Sequence, residues 1–217
     1  MAVDVVVDMR ANFGAARLQG DRNTCMAFST SDCHSAARSS ATFLSTEFLH
    51  YNALRRRGFA DMEEGVSMPS MFEVVEQDGQ PDESRWPYLG SQPDSVSTWN
   101  PPAGCSPVFK RNFREDVSSI ERINDFVDAK IPVVLVMDIS VSFFLPSASG
   151  IIRADATEVA VNTHAVIAVG RGQEDGEKLI LIRNSWGGSW GLQGCAWLNF
   201  QYLVPRLRGI GIAGAEV

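Results

Sequence analysis

Three residues far apart in this chain can together do nucleophilic chemistry: Cys25, His164 and Asn184. Cys25 falls at the first turn of a stretch in which Ala27, Phe28, Cys33, Ala36 and Ala37 recur at helical spacing. Asn23 or Thr24 can cap that helix. A helix N-terminus presents unpaired N–H groups and partial positive charge, which stabilise a thiolate and lower the thiol pKa. The same N–H groups can donate to an oxyanion. One geometric device therefore both activates a nucleophile and begins an oxyanion hole.

A thiolate needs a proton partner, and the chain has three histidines. His34 lies nine residues along the same helix, about 900° of rotation and roughly 13 Å of rise, so it faces away from the sulfur. His50 follows on the next helix, beside Tyr51, with no spacing that ties it to Cys25. Elimination leaves His164, which opens the strand-like run Ala165-Val166-Ile167-Ala168-Val169. A satisfied structural histidine is the competing reading. The run Leu179-Ile180-Leu181-Ile182 then leads into Arg183-Asn184-Ser185-Trp186-Gly187-Gly188-Ser189-Trp190-Gly191. The amide oxygen of Asn184 can accept from an imidazole N–H, and Trp186 and Trp190 can shield that bond from water. Two core tryptophans in a tight turn are the alternative.

The elements that must position these residues change character along the chain. Residues 1–8 read as a strand and 12–23 as a loop. Helices are expected from Thr24, over Ser45–Arg57, over Ser67–Gln77 and, more briefly, over Ile120–Ala129. The proline-rich stretch from Trp86 to Cys105 has no periodicity and reads as a long ordered loop or a joint. Strands are expected over Ile131–Ile139, His164–Val169, Lys178–Arg183 and Ala196–Phe200. Helices crowd the first half and strands the second, which points to an α+β fold.

Composition narrows the function classes. The 217 residues are 45% apolar and 21% charged, with a net charge of −7, a globular balance that leaves no basic surface for nucleic acid. The Arg55-Arg56-Arg57 run reads as a solvated helix end. No apolar run has the length of a membrane span. The acids inside the opening strand argue against a leader peptide in this chain, which leaves its location open between the cytoplasm and export without a leader. Cys33, Cys105 and Cys195 read as structural thiols, and no close cysteine pair suggests a metal cluster.

These residues resemble a known family. Gln19-Gly20 followed by Cys25-Met26-Ala27-Phe28-Ser29 resembles the nucleophile motif of papain-like cysteine peptidases. Thr163-His164-Ala165-Val166 is similar to that family's histidine strand, and Asn184-Ser185-Trp186-Gly187 with Trp190-Gly191 to its asparagine motif. His164 follows Cys25 by 139 residues and Asn184 by 159, against about 130–150 for the family. Val7-Asp8-Met9-Arg10 resembles the start of a mature peptidase domain, and Asp78-Gly79 with Trp86-Pro87-Tyr88 the join after its helices. Ile131-Pro132-Val133-Val134 and Phe143-Phe144 resemble the leaner bacterial branch.

The resemblance implies a single papain-like domain over 1–217. Its helical lobe would span roughly 12–105, its β-barrel-like lobe 106–217 plus the first strand, and its cleft would lie between them. It implies hydrolysis of peptide bonds through an acyl-enzyme thioester. Cys25 would be nucleophile, His164 base, Asn184 its orienter and Gln19 an oxyanion donor. It places Asn23, Gly65, Pro69, Thr163 and Trp186 along the substrate cleft. The implied partner is a peptide or protein, the chain is expected to act as a monomer, and no metal or organic cofactor is required. Several positions depart from the family pattern. Met26 replaces an aromatic residue, and Asp21-Arg22-Asn23-Thr24 removes a familiar disulfide. Asn23 stands where glycine usually lines the cleft, implying a narrower or more polar pocket. Glu64-Gly65-Val66-Ser67 is a glycine-poor far wall, and no pro-region precedes residue 1. An acyl-transferring ligase or cyclase using the same nucleophile, and a catalytically silent binding module, are the alternative functions.

Overall fold

The structure, a computed structural model, describes residues 3–39, 42–155 and 157–217. In chain order its elements are β1 (Asp4–Asp8), α1 (Cys25–Ala37), α2 (Thr46–Arg56), α3 (Met68–Gln77), β2 (Arg111–Asp116), α4 (Ile120–Asp128) and β3 (Val133–Ile139). There follow α5 (Val141–Phe144), β4 (Ile151–Ile152), β5 (Asn162–Glu174), β6 (Glu177–Arg183), β7 (Cys195–Asn199), α6 (Phe200–Leu203) and β8 (Leu207–Glu216). The α+β class expected from helices first and strands second is what the chain forms. Residues 1 and 2 of the expected first strand lie outside the described residues.

The strands form one eight-stranded sheet in the order β2-β8-β3-β5-β6-β7-β4, with β1 also on β5. Long β5 carries two partners on one side: β3 along Asn162–Ala168 and β1 along Gly170–Gln173. Val133, Val134 and Leu135 of β3 and Leu179–Ile182 of β6 are buried, as continuous apolar strands must be when both faces are covered. Helix α1 lies against β5, and α3 against β2. Ser45, Ser67 and Ser119 cap α2, α3 and α4 by accepting a main-chain N–H, so these three helices start where a serine can satisfy an orphan donor.

Two strands, β2 and β8, carry no strand pattern in their residues. Strand β2 reads Arg-Asn-Phe-Arg-Glu-Asp, too charged to resemble a strand. Strand β8 is interrupted by Gly209, Gly211 and Gly214. At Gly211 a Cβ would meet the Phe72 ring at 2.4 Å, so glycine there lets α3 close onto the sheet. Strand β5 runs five residues beyond the expected Val169, and Phe200 starts α6 instead of ending a strand. The 86–105 segment contains one 3-10 turn, Val96–Thr98, and buries Trp86 and Trp99. The arginine run at the end of α2 is more tied down than a solvated end: Arg55 and Arg56 pair with Asp78, and Arg57 with Glu64. No described helix is long and apolar enough to cross a membrane.

Candidate active site

Antiparallel pairing brings the candidate base and its orienter together. His164 stands two residues past the start of β5, and Asn184 is the first residue after β6, its hydrogen-bonded neighbour. The His164 Nε2 lies 2.8 Å from Asn184 Oδ1. The Ser185 main-chain N–H donates to that same oxygen at 2.8 Å. Two donors converge on Oδ1, so the amide presents its oxygen to the imidazole and His164 carries its proton on Nε2. Nδ1 is left with a free lone pair, the atom a base needs.

A cluster of aromatic rings encloses this bond. Trp186 lies 4.8 Å from the His164 ring and Phe143, from α5, 5.8 Å from it. Phe143 also packs on Trp186 and Trp190, and its carbonyl accepts from Trp190 Nε1 at 3.2 Å. Phe144 stacks on Trp186 at 5.1 Å. Phe143 is fully buried at the centre of this group. Its place there was not legible, because nothing in a Ser-Phe-Phe-Leu run announces which ring turns inward.

Cys25 begins α1, and the helix N-terminus is uncapped. This corrects the expected role of Asn23 and Thr24. Thr24 makes no side-chain cap; its hydroxyl lies 2.9 Å from the Tyr88 hydroxyl. The Asn23 amide donates to the Glu63 carbonyl at 2.6 Å. With both side chains engaged elsewhere, the first N–H groups of the helix stay free for the sulfur and for a substrate oxygen. Burial pushes the Cys25 thiol above its ordinary value, while the main-chain N–H groups of Ala165, Met26 and Cys25 pull the other way. Burial holds the His164 imidazole down to about 4, and the Asn184 bond opposes this. Each charge is therefore disfavoured alone in this buried setting.

Gln19 is held from three directions. Its main-chain N–H donates to the Ser185 carbonyl at 2.8 Å, and Tyr88 donates to its carbonyl at 2.7 Å. Ser185 Oγ donates to Gln19 Oε1 at 2.6 Å, and Gln19 Nε2 donates to the Arg22 carbonyl at 2.8 Å. One amide proton of Nε2 remains available. Ser185 thus locks both Asn184 and Gln19, a double role with no signature in the sequence. Arg22, in the loop where the familiar cysteine is missing, is buried in an ion pair with Glu47 of α2, Nη1 to Oε2 at 2.7 Å.

Cys25 and His164 line one cavity of about 580 Å³, with Asn23, Gly65 and Thr163 on its walls. Pro69 is exposed and outside the lining, where Met68 stands instead, and Trp186 lies behind His164. The far wall is fixed by Arg57, which donates to the carbonyls of Asp61, Glu64 and Gly65. His34 points away from the cavity: its Nδ1 lies 3.1 Å from Gln80 Oε1. His50 is buried against Trp99. All four cysteines are free thiols. Among the described residues, no group of His, Cys, Asp and Glu is arranged to hold a metal ion.

The chain is similar to several known proteins. The family model described as papain family cysteine protease matches residues 3–202. A cysteine proteinase 2 from Zea mays is 33% identical over 183 residues, covering 81% of this chain and 49% of that protein. Cathepsin K from Mus musculus is 32% identical over 136 residues, covering 62% of this chain and 40% of that protein. The chain thus spans half or less of the length of these relatives. Among solved structures, xylellain, a cysteine protease from Xylella fastidiosa, superposes with a TM-score of 0.78 at 19% identity, covering 99% of this chain and 87% of that one.

Proposed function

Because the chain belongs to the papain family of cysteine proteases, we propose that it is a thiol peptidase acting on peptides or proteins through Cys25, His164, Asn184 and Gln19. The observation that carries this reading is the 2.8 Å bond from His164 Nε2 to Asn184 Oδ1, which leaves Nδ1 free on the cavity that Cys25 shares.

The Cys25 thiol passes its proton to His164 Nδ1, and the resulting thiolate attacks the scissile carbonyl carbon, forming a C–S bond. The carbonyl oxygen becomes an oxyanion and accepts from the spare Gln19 Nε2 proton and the Cys25 main-chain N–H. Collapse breaks the C–N bond as His164 returns its proton to the leaving amine. A water, deprotonated by His164, then cleaves the thioester and restores the thiol. Asn184 keeps the imidazole aligned through both proton transfers. The aromatic group around the pair excludes water and strengthens the bond.

The deciding comparison is wild type against Cys25→Ala on a mixed peptide library. Hydrolysis by the wild type and its loss in Cys25→Ala is the expected result. Turnover undiminished in Cys25→Ala would overturn the assignment. Selective alkylation of Cys25 near neutral pH, ahead of Cys33, Cys105 and Cys195, is expected alongside, since burial pushes all four thiols up and only at Cys25 do main-chain N–H groups oppose it.

A further inference from the structure

From the charge left unpaired in the cavity, and resting on the peptidase reading above, we infer that Glu115 selects substrates carrying a lysine or arginine side chain at one position near the scissile bond. The cavity that holds Cys25 and His164 continues across the sheet, over Val136 of β3 and Gly209 of β8, to Glu115 of β2. β2 lies three strands over from the His164 strand. Along the way, Met68 and Val136 supply apolar walls. Gly209 supplies no side chain, so a substrate side chain can pass there; its nearest neighbours would be Met68 Cε and Val136 Cβ at 3.7 and 3.9 Å from a Cβ.

The register explains why a carboxylate sits there. Side chains two apart on a strand share a face. Phe113 of β2 is buried against Phe72 at 4.9 Å. Glu115, two residues on, occupies the same face where the packing ends and the cavity begins.

Two other carboxylate or guanidinium groups line the cavity, and both are already neutralised. Glu64 pairs with Arg57 at 3.2 Å. Arg208 pairs with Asp138, its Nε 2.9 Å from Oδ2. Neighbouring Arg114 and Arg122 are taken by Asp116. Among the described residues Glu115 alone of these groups has neither hydrogen bond nor ion pair. The cavity therefore offers methylene-lined walls ending in one uncompensated negative charge. A long aliphatic stem with a cationic head fits that description. Short acidic side chains do not.

The test scans arginine against citrulline, its neutral isostere, at each of four positions on either side of the scissile bond in fluorogenic peptides. Wild type is expected to favour arginine at one position by about fivefold in kcat/KM, the ceiling for a solvent-accessible ion pair. The preference should shrink in high salt. Glu115→Gln should erase it, and Glu115→Lys should favour glutamate over glutamine at that position. Equal rates for arginine and citrulline everywhere, or a preference surviving in Glu115→Gln, would overturn the inference while leaving the peptidase reading intact. Should no peptide be hydrolysed and Cys25 resist acylation, the peptidase reading fails. Equilibrium binding of the same peptide pairs to Cys25→Ala then still decides the cavity, because equal affinities for arginine and citrulline refute it.

Discussion

Replacing Glu47 with alanine tests how the nucleophile loop is held. The Glu47 carboxylate is fully buried and accepts four hydrogen bonds: from Arg22 Nη1 at 2.7 Å and Nη2 at 3.1 Å, from Leu89 N at 3.0 Å and from Trp99 Nε1 at 2.7 Å. Glu47→Ala leaves Leu89 N–H and Trp99 Nε1 without their acceptor, and a guanidinium only 2% exposed without its carboxylate. Breaking a buried pair from one side costs about 3–5 kcal/mol, because the surviving charge stays buried and uncompensated. At roughly 2–4 °C per kcal/mol for a chain of this size, the melting temperature should fall by roughly 6–20 °C. Replacing both partners, Arg22→Met with Glu47→Met, should recover much of the loss, since an apolar pair carries no stranded charge. Denaturant unfolding of wild type, both single variants and the double variant measures this coupling. The chemistry reports it separately. Gln19 Nε2 donates to the Arg22 carbonyl, so kcat for peptides should drop in Glu47→Gln while the rate of Cys25 alkylation, which needs no oxyanion donor, holds. A loss below about 1 kcal/mol in Glu47→Ala, or parallel falls in alkylation and kcat in Glu47→Gln, would refute the reasoning.

Further outcomes follow from the same geometry. Gln19→Ala should lower kcat by roughly 10²–10³ with KM little changed, the effect of removing one oxyanion donor; steady-state kinetics on a single peptide reads it, and an unchanged kcat removes Gln19 from the site. Phe143→Ala should cost about 3–5 kcal/mol in stability by opening a cavity beneath Trp186 and Trp190, seen as a lower denaturation midpoint. Burial holds His34 and His164 down to about 4 and His50 to about 3, against about 6.5 in the unfolded chain. The unfolded state therefore binds protons that the folded state refuses. Stability present above pH 6.5 should be lost as pH falls toward 4, at about 1.4 kcal/mol per pH unit for each histidine. Unfolding curves between pH 7 and 5 check this, and His34→Gln should flatten the slope by about a third; identical stability at both pH values would contradict it.

What could be read from the residues alone follows local pattern. Cys25, His164 and Asn184 stand at the ends of strongly patterned segments, a small-residue helix and two apolar strands, so the elements that place them are visible. Fold class follows for the same reason. Long-range pairing left no such trace. Glu47 lies 25 residues from Arg22 in an ordinary amphipathic helix, and only the folded chain shows that this pair occupies the loop where a disulfide was missed. Glu115 sits in a run of charges that masks a strand, and Gly211 looks like a strand breaker until the Phe72 ring is seen against it. Asn23 and Thr24 have the composition of helix caps, yet tertiary partners, the Glu63 carbonyl and the Tyr88 hydroxyl, claim both side chains.

The bare N-terminus of α1 also limits how far this chain can be hardened. Supplying a missing cap is a standard route to stabilisation, worth about 1 kcal/mol for a single side-chain acceptor. At Thr24 that acceptor would draw away the N–H groups that face the Cys25 sulfur. A screen for heat resistance that samples this position would enrich proteins that survive longer and cut more slowly. Thermal hardening of this scaffold is better sought elsewhere, on surfaces remote from the first turn of α1.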